Sequence, residues 1–241
     1  MNKVLLITGA SSDTGISLIQ RVCHRYDVIL AHYCHSNERL LELRETMGDK
    51  LQLCQADFKE LASVERMLAV IQERGIIPNH IVHISAQRTV NQRLHKTEWN
   101  EYAGAMETAL RSIVLIVNRF VPYMKKAKEG KIIFMLTSCT LNNPPKYQVS
   151  YVVAKYALLG LMKSLSVEYA ENGIMVNGVS PDMMDTKFLS DMPDLVIRQN
   201  PEKSPLKRNL AVDDVVPTFD FLLSEAADTI TGQNIGITGG I

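Results

Sequence analysis

Short apolar runs alternate with longer segments of helical periodicity along the whole chain, and this alternation constrains the fold more than any other feature. The apolar runs predict seven buried strands at residues 3–8, 27–33, 51–56, 80–85, 131–137, 174–179 and 234–238. The helical segments are residues 15–25, 38–47, 63–74, 99–126, 151–171 and 212–223. Strand–helix–strand units form right-handed crossovers between parallel strands. We therefore predict an α/β Rossmann fold, a doubly wound seven-stranded parallel sheet with helices on both faces.

The chain has 241 residues, of which 46% are apolar, and this is enough for one sizeable α/β core. We predict a single domain over residues 1–241. The longest irregular stretch is residues 185–210, which Pro193, Pro201 and Pro205 interrupt. Its length is typical of a lid over a binding site. Ligands of such folds bind at the carboxyl ends of the strands, so the functional residues are sought there.

Charge and composition exclude several classes of partner. The 26 basic residues balance 26 acidic ones, which argues against nucleic acid or an anionic membrane and favours a small molecule. The apolar run 4–7 is too short for a signal segment or a membrane span, so we expect a cytoplasmic protein. The four cysteines (23, 34, 54 and 139) and the histidines show neither disulfide nor metal-ligand spacing. We expect no metal site, and among the histidines only His35 is a candidate cofactor contact.

A glycine-containing turn follows the first predicted strand, where residues 8–16 read Thr-Gly-Ala-Ser-Ser-Asp-Thr-Gly-Ile. Gly9 permits a tight turn, and Gly15 lets the next helix bring its N–H groups to a pyrophosphate. A purely structural turn is the alternative. The segment resembles the T-G-x-x-x-G-x-G turn of short-chain dehydrogenases, with Asp13 in place of the middle glycine. We expect Asp13 to point away from the phosphates or to cap the helix. The resemblance implies cofactor contacts from Gly9, Ser11, Ser12, Gly15 and Ile16.

Tyr151 and Lys155 stand four residues apart on one predicted helical face. A phenol has a pKa of about 10, which a neighbouring ammonium lowers. Ser138 ends the fifth predicted strand, thirteen residues before Tyr151. This set resembles the Ser…Tyr-x-x-x-Lys set of the short-chain dehydrogenase/reductase family in residue type, spacing and placement. The resemblance implies that Tyr151 donates a proton to a carbonyl oxygen that Ser138 also binds. It implies that Lys155 holds the cofactor ribose and lowers the tyrosine pKa.

The second predicted strand ends without the acidic residue that usually holds the ribose of NAD. His35, Ser36 and Arg39 lie nearby and could meet an extra phosphate, so we predict NADP(H), with NAD(H) as the alternative. Asp57 and Phe58 resemble the family's adenine-holding position, and a simple turn aspartate is the alternative for Asp57. The same resemblance implies further cofactor contacts from Ser85, Ala86, Tyr151, Lys155, Pro181, Met183 and Thr186.

Three departures from the family pattern fall close together. Residues 84–87 read Ile-Ser-Ala-Gln where the family has Asn-Asn-Ala-Gly, no asparagine lies near Ala109, and Asp182 replaces a glycine. These changes leave open an altered proton relay, another substrate class, or a dinucleotide-binding subunit without catalysis. Because Ser138, Tyr151 and Lys155 are all present, we favour an enzyme.

The overall match is nearest to the 3-oxoacyl-[acyl-carrier-protein] reductases, which implies NADPH-dependent reduction of a 3-oxoacyl thioester or a similar ketone. The alternatives are oxidation or reduction of a sugar or another secondary alcohol, and a non-catalytic subunit. Segments 99–126 and 151–171 carry more apolar side chains than packing on a sheet requires. We therefore expect these helices to pair between subunits in a homodimer or homotetramer.

Overall fold

A computed structural model describes residues 2–88, 91–192 and 194–240 and contains seven parallel strands. The strands are β1 Val4–Thr8, β2 Val28–Tyr33, β3 Leu51–Gln55, β4 His80–His83, β5 Gly130–Met135, β6 Ile174–Pro181 and β7 Asn234–Ile237. Their order in the sheet is β3-β2-β1-β4-β5-β6-β7. The predicted seven-stranded parallel sheet is thus confirmed. The chain reverses its direction of winding between β1 and β4, which opens a crevice at their carboxyl ends.

The helices are α1 Asp13–Val22, α2 Glu38–Met47, α3 Leu61–Glu73, α4 Trp99–Met106, α5 Ser112–Ala127, α6 Val149–Tyr169, α7 Asp194–Lys203 and α8 Val212–Leu223. A π-helical turn, Glu107–Arg111, joins α4 to α5 where the sequence predicted continuous helix. The prediction of an irregular segment at 185–210 was wrong for α7. This helix is mostly polar and contains Pro201, so it lacks the periodic apolar stripe that identifies a helix. Pro193 lies outside the described residues.

Two hydrophobic cores sit on opposite faces of the sheet because successive strand side chains point to opposite sides. Leu6 packs with apolar residues of α3, α5 and α6, including Phe120 and Leu158. Leu5 packs with α1 and α8, including Phe219. Helices therefore cover both faces, as predicted. Among the described residues, no helix combines the length and the apolar character that crossing a bilayer requires.

Candidate functional site

A cleft of about 1090 Å³ opens at the carboxyl ends of the strands. It brings together almost all of the predicted site residues: Gly9, Ser11, Ser12, His35, Ser36, Asp57, Phe58, Ser85, Ala86, Ser138, Tyr151, Lys155, Pro181, Met183 and Thr186. Gly15 and Ile16 are not part of its lining. Ile16 is buried in the core beneath the turn, and Gly15 packs against Ala10.

The glycine turn is held by Ser12, which caps α1. Its hydroxyl accepts a hydrogen bond from the Gly15 N–H at 3.1 Å and donates to the Gly9 carbonyl at 2.7 Å. Gly9 has φ of +68°, a backbone conformation that favours glycine. A Cβ on Gly15 would lie 2.5 Å from the Ala10 carbonyl oxygen. Both glycines are therefore required by the shape of the turn.

A buried imidazole, that of His32, connects the glycine turn after β1 to the ends of β2 and β3 by hydrogen bonds. His32 accepts from the Gly9 N–H through Nδ1 at 3.0 Å. Its Nε2 then carries the proton and donates to the Ala56 carbonyl at 3.0 Å. Burial lowers the pKa of His32 to about 4, so the ring is neutral at pH 7. The ring also stacks on Phe58, with 3.9 Å between the centroids, and thereby places Phe58 at the mouth of the cleft.

Asp13 does not cap the first helix, because Ser12 is the capping residue, and the Asp13 carboxylate binds two other groups. Its Oδ1 is 2.6 Å from Nη1 of Arg39, and its Oδ2 accepts from the Lys187 N–H at 2.9 Å. Burial alone would raise the pKa of Asp13, but these two partners hold it below its usual value. The carboxylate thus links the turn to α2 and to the segment before α7.

Asp57 behaves partly as a turn residue, because its Oδ1 accepts from the Lys59 N–H at 2.9 Å. It also lies with Cys34 and His35, and the ligand-type atoms of the three side chains are within 4.8 Å of one another. Burial and the neighbouring Asp57 carboxylate raise the pKa of the Cys34 thiol. Sequence spacing did not reveal this group, because two different strand ends contribute to it. All three residues line the end of the cleft where an adenosine was predicted.

Lys155 is almost completely buried, and its Nζ donates to the Met135 carbonyl at 2.6 Å. Burial lowers the pKa of Lys155 to about 8. Its Nζ lies 5.6 Å from the centroid of the Tyr151 ring. Burial raises the pKa of Tyr151 well above its usual value, and a hydrogen bond with Thr137 opposes this shift only in part. The expected lowering of the tyrosine pKa is therefore not found, because burial is the largest influence on it.

The Ser138 hydroxyl donates a hydrogen bond to Oδ1 of Asp182 at 3.0 Å. The Asn200 side-chain amide is 3.4 Å from Oδ2 of the same carboxylate. The Phe188 ring packs near Tyr151, with 6.1 Å between their centroids. Sequence reasoning identified Asp182 only as a departure from a pattern and missed Asn200 and Thr137. The Ser138–Asp182 and Asn200–Asp182 contacts span 44 and 18 residues and leave no sign in the spacing, whereas Thr137 directly precedes the predicted Ser138 and could have been found there.

A model of the family described as enoyl-(acyl carrier protein) reductase matches residues 15–241. The chain is a short-chain dehydrogenase/reductase. It is similar to the 3-oxoacyl-[acyl-carrier-protein] reductase FabG of Staphylococcus epidermidis, with 29% identity over 247 residues that cover 100% of this chain and 99% of that protein. This similarity confirms the predicted kinship with 3-oxoacyl-[acyl-carrier-protein] reductases.

Solved structures of two dehydrogenases share the fold of this short-chain dehydrogenase/reductase. A 4-hydroxyisoleucine dehydrogenase complexed with NADH has a TM-score of 0.89 at 21% identity and covers 99% of this chain and 98% of its own. A gluconate 5-dehydrogenase from Burkholderia cenocepacia, in complex with NADP and tartrate, has a TM-score of 0.88 at 20% identity. Its match covers 99% of this chain and 94% of its own.

The position near Ala109, where the family has an asparagine, lies beside a buried histidine. Ala109 lies in the π-helical turn, and its carbonyl accepts from Nε2 of His83 at 2.8 Å. The other nitrogen, Nδ1, accordingly accepts from the Thr8 hydroxyl at 2.8 Å. Burial lowers the pKa of His83 to about 3, so the imidazole is neutral. His83 thus joins the ends of β1 and β4 to the helix pair beside the cleft.

The cleft fits a nicotinamide dinucleotide in size and in chemistry. The Ser85 hydroxyl is buried and has no hydrogen-bond partner among the residues that the structure describes, and it lies beside Gly9 where a ribose or phosphate would pass. An unsatisfied buried hydroxyl is costly and is relieved by a polar ligand. Arg39 and Lys155 supply positive charge at the two ends of the cleft. Gly9, Ser12 and Ser85 could therefore hold the cofactor, with Lys155 at its nicotinamide end.

Proposed function

We propose that this protein uses NADP(H) to reduce a ketone to a secondary alcohol, with a 3-oxoacyl thioester or a similar ketone as substrate. The observation that carries the proposal is the presence of Ser138, Tyr151 and Lys155 in the same cleft as the Gly9 turn. Full-length similarity to 3-oxoacyl-[acyl-carrier-protein] reductases supports the substrate class.

The cofactor, when bound, supplies the hydride. Tyr151 donates the phenolic proton to the carbonyl oxygen of the substrate. Because burial raises the pKa of Tyr151, the phenol is protonated at neutral pH and ready to act as an acid. Ser138 donates a second hydrogen bond to the same oxygen, for which its hydroxyl turns away from Asp182. Lys155 holds the ribose and supplies positive charge while the tyrosinate forms.

The preference for NADP(H) rests on the end of β2. No acidic residue stands at positions 34–37, directly after β2, and His35, Ser36 and Arg39 line the cleft there beside the carboxylates of Asp13 and Glu38. Arg39 can bind a phosphate through two parallel hydrogen bonds. NADP is bound by the gluconate 5-dehydrogenase and NADH by the 4-hydroxyisoleucine dehydrogenase, so the family's fold accommodates either cofactor.

Two features of the cleft favour different substrates. Met183, Phe188 and Met192 line one wall and suit an acyl chain. Asp182 and Asn200 also line the cleft and suit a hydroxylated substrate such as a sugar, which is the second candidate. The substrate panel that tests the proposal includes both classes.

The decisive experiment is NADPH oxidation by the purified protein with acetoacetyl thioesters, simple ketones and keto sugars. Tyr151→Phe should lower turnover by about 10²–10⁴-fold because the proton donor is lost. It should still bind NADPH in a fluorescence titration. Tyr156→Phe is the matched control, since Tyr156 lies on the same helix with an exposed side chain. The non-catalytic alternative is correct if the wild-type protein binds NADPH but has no activity that is lost in Tyr151→Phe.

We also propose that α4, α5 and α6 pair between subunits in a homodimer or homotetramer. Trp99 and Val167 are 76% and 82% exposed, and Val153 adds apolar surface on α6. Exposed apolar side chains of this size are typical of an interface when they form one patch. Light scattering should show a mass of two or four chains, and Val167→Lys should shift it toward one. A monomeric wild type at micromolar concentration would contradict this proposal.

A further inference from the structure

Asp13 connects two parts of the cleft that are distant in sequence. Arg39 is 26 residues away and Lys187 is 174 residues away, yet each contacts one oxygen of the same carboxylate. Arg39 lies where the proposed function needs a phosphate-binding guanidinium. Lys187 begins the short helical turn Lys187–Leu189, and the Phe188 ring in that turn packs near Tyr151. Asp13 thereby joins the phosphate end of the cleft to the wall beside the proposed catalytic tyrosine.

The Asp13 carboxylate and its two partners are exposed enough for a ligand to replace these contacts. The Arg39 side chain is 40% exposed and that of Asp13 is 22% exposed. A solvated pair of this kind changes an equilibrium by about fivefold at most. A phosphate carries more negative charge than a carboxylate and offers a guanidinium two parallel hydrogen bonds. A phosphate next to Arg39 would therefore outcompete the Asp13 carboxylate and repel it.

Resting on the proposed use of NADP(H), we propose that Asp13 is a specificity-determining residue that competes with the 2′-phosphate of NADPH for Arg39. When the phosphate takes Arg39, the repelled carboxylate also gives up the Lys187 N–H, and segment 186–189 is released from the glycine turn. NADH carries no 2′-phosphate and leaves the Asp13–Arg39 pair in place. The identity of the cofactor is thus transmitted to the wall beside Tyr151.

The test is the ratio of the dissociation constants for NADH and NADPH, measured by fluorescence titration. Asp13→Asn keeps an oxygen that can accept from Lys187 but removes the charge that competes for Arg39. It should tighten NADPH about fivefold more than it tightens NADH. Arg39→Gln should weaken NADPH by about tenfold with little effect on NADH. In the Asp13→Asn, Arg39→Gln double variant, the effect of Asp13→Asn on the ratio should disappear.

NADH serves as the internal control for folding, because a misfolded variant loses both cofactors. An unchanged ratio in Asp13→Asn, or a selective loss of NADPH, would overturn the inference, since Asp13 would then orient Arg39 for the phosphate. Amide hydrogen exchange tests the contact between Asp13 and the Lys187 N–H. Without cofactor, segment 186–189 should exchange faster in Asp13→Ala than in Asp13→Asn, and equal rates would refute this contact. A wild type that binds neither dinucleotide would instead refute the proposed function.

Discussion

Replacing Gly15 with alanine tests whether the turn and the first helix are in rigid contact. The new Cβ would lie 2.5 Å from the oxygen, 2.6 Å from the Cα and 2.7 Å from the carbonyl carbon of Ala10. Ordinary contact begins at 3.4 Å, so the backbone must move by about 0.9 Å, the difference from 2.5 Å. Ala10 is fully buried and its N–H donates to the His32 carbonyl at 2.8 Å, which resists such a shift.

Overpacking of this kind costs about 3 kcal/mol, and the better helix propensity of alanine recovers about 1 kcal/mol. We expect a net loss of about 2 kcal/mol, which lowers the melting temperature of a chain of this size by roughly 4–8 °C. NADPH should also bind more weakly, because Gly9 and Ser12 move with the turn. Gln20→Ala, on the exposed side of the same helix, is the control and should change neither value. If Gly15→Ala melts and binds NADPH like the wild type, Ala10 moves freely and the contact between the turn and the helix is not rigid.

Two further predictions follow from buried ionisable groups. Burial lowers the pKa of Lys155 to about 8 from 10.5, so between these pH values the unfolded chain holds a proton that the folded chain has released, and stability rises with pH. Lys155→Met should therefore raise the melting temperature at pH 7, because it removes a destabilisation of about 3 kcal/mol at most. The difference between the variant and the wild type should shrink toward pH 10.5. A difference independent of pH would contradict this. The pKa values of His32, His80 and His83 are lowered to about 4, 3 and 3, so stability should fall as pH drops below 6.5, with a limiting slope of about 4 kcal/mol per pH unit. His80→Gln should reduce that slope by about a third in melting curves from pH 7 to pH 5, and exposed His24→Gln should leave it unchanged.

The sheet was predictable because strands buried on both faces read as continuous apolar runs. Leu5, Leu6 and Ile7 are all fully buried, and no alternation is needed to recognise them. The polar helix α7 has no comparable pattern. The π-helical turn that contains Ala109 was also missed, because its residues continue the helical pattern and its contact with the His83 imidazole comes from a strand 26 residues earlier.

The site was predictable as a set of residues but not as a set of contacts. The spacing of Ser138, Tyr151 and Lys155 placed them in one cleft, as the structure shows. The pKa of Tyr151 is raised where a lowering was expected, because it depends on how deeply the side chain is buried, and the spacing of residues in the sequence does not show that depth. The contacts of Asp13 and Asp182 were equally hidden, since each joins segments that only the folded chain brings together.

The division of the six histidines into two groups of three gives the protein a chemical reporter. His32, His80 and His83 are sealed in the interior, whereas His24, His35 and His95 are open to reagents. An acylating reagent such as diethyl pyrocarbonate should modify three imidazoles in the folded chain and all six after denaturation. Of the three open rings, only that of His35 lines the cleft. Protection of a single histidine by a dinucleotide, mapped by mass spectrometry, would locate the adenosine end of the ligand without a crystal.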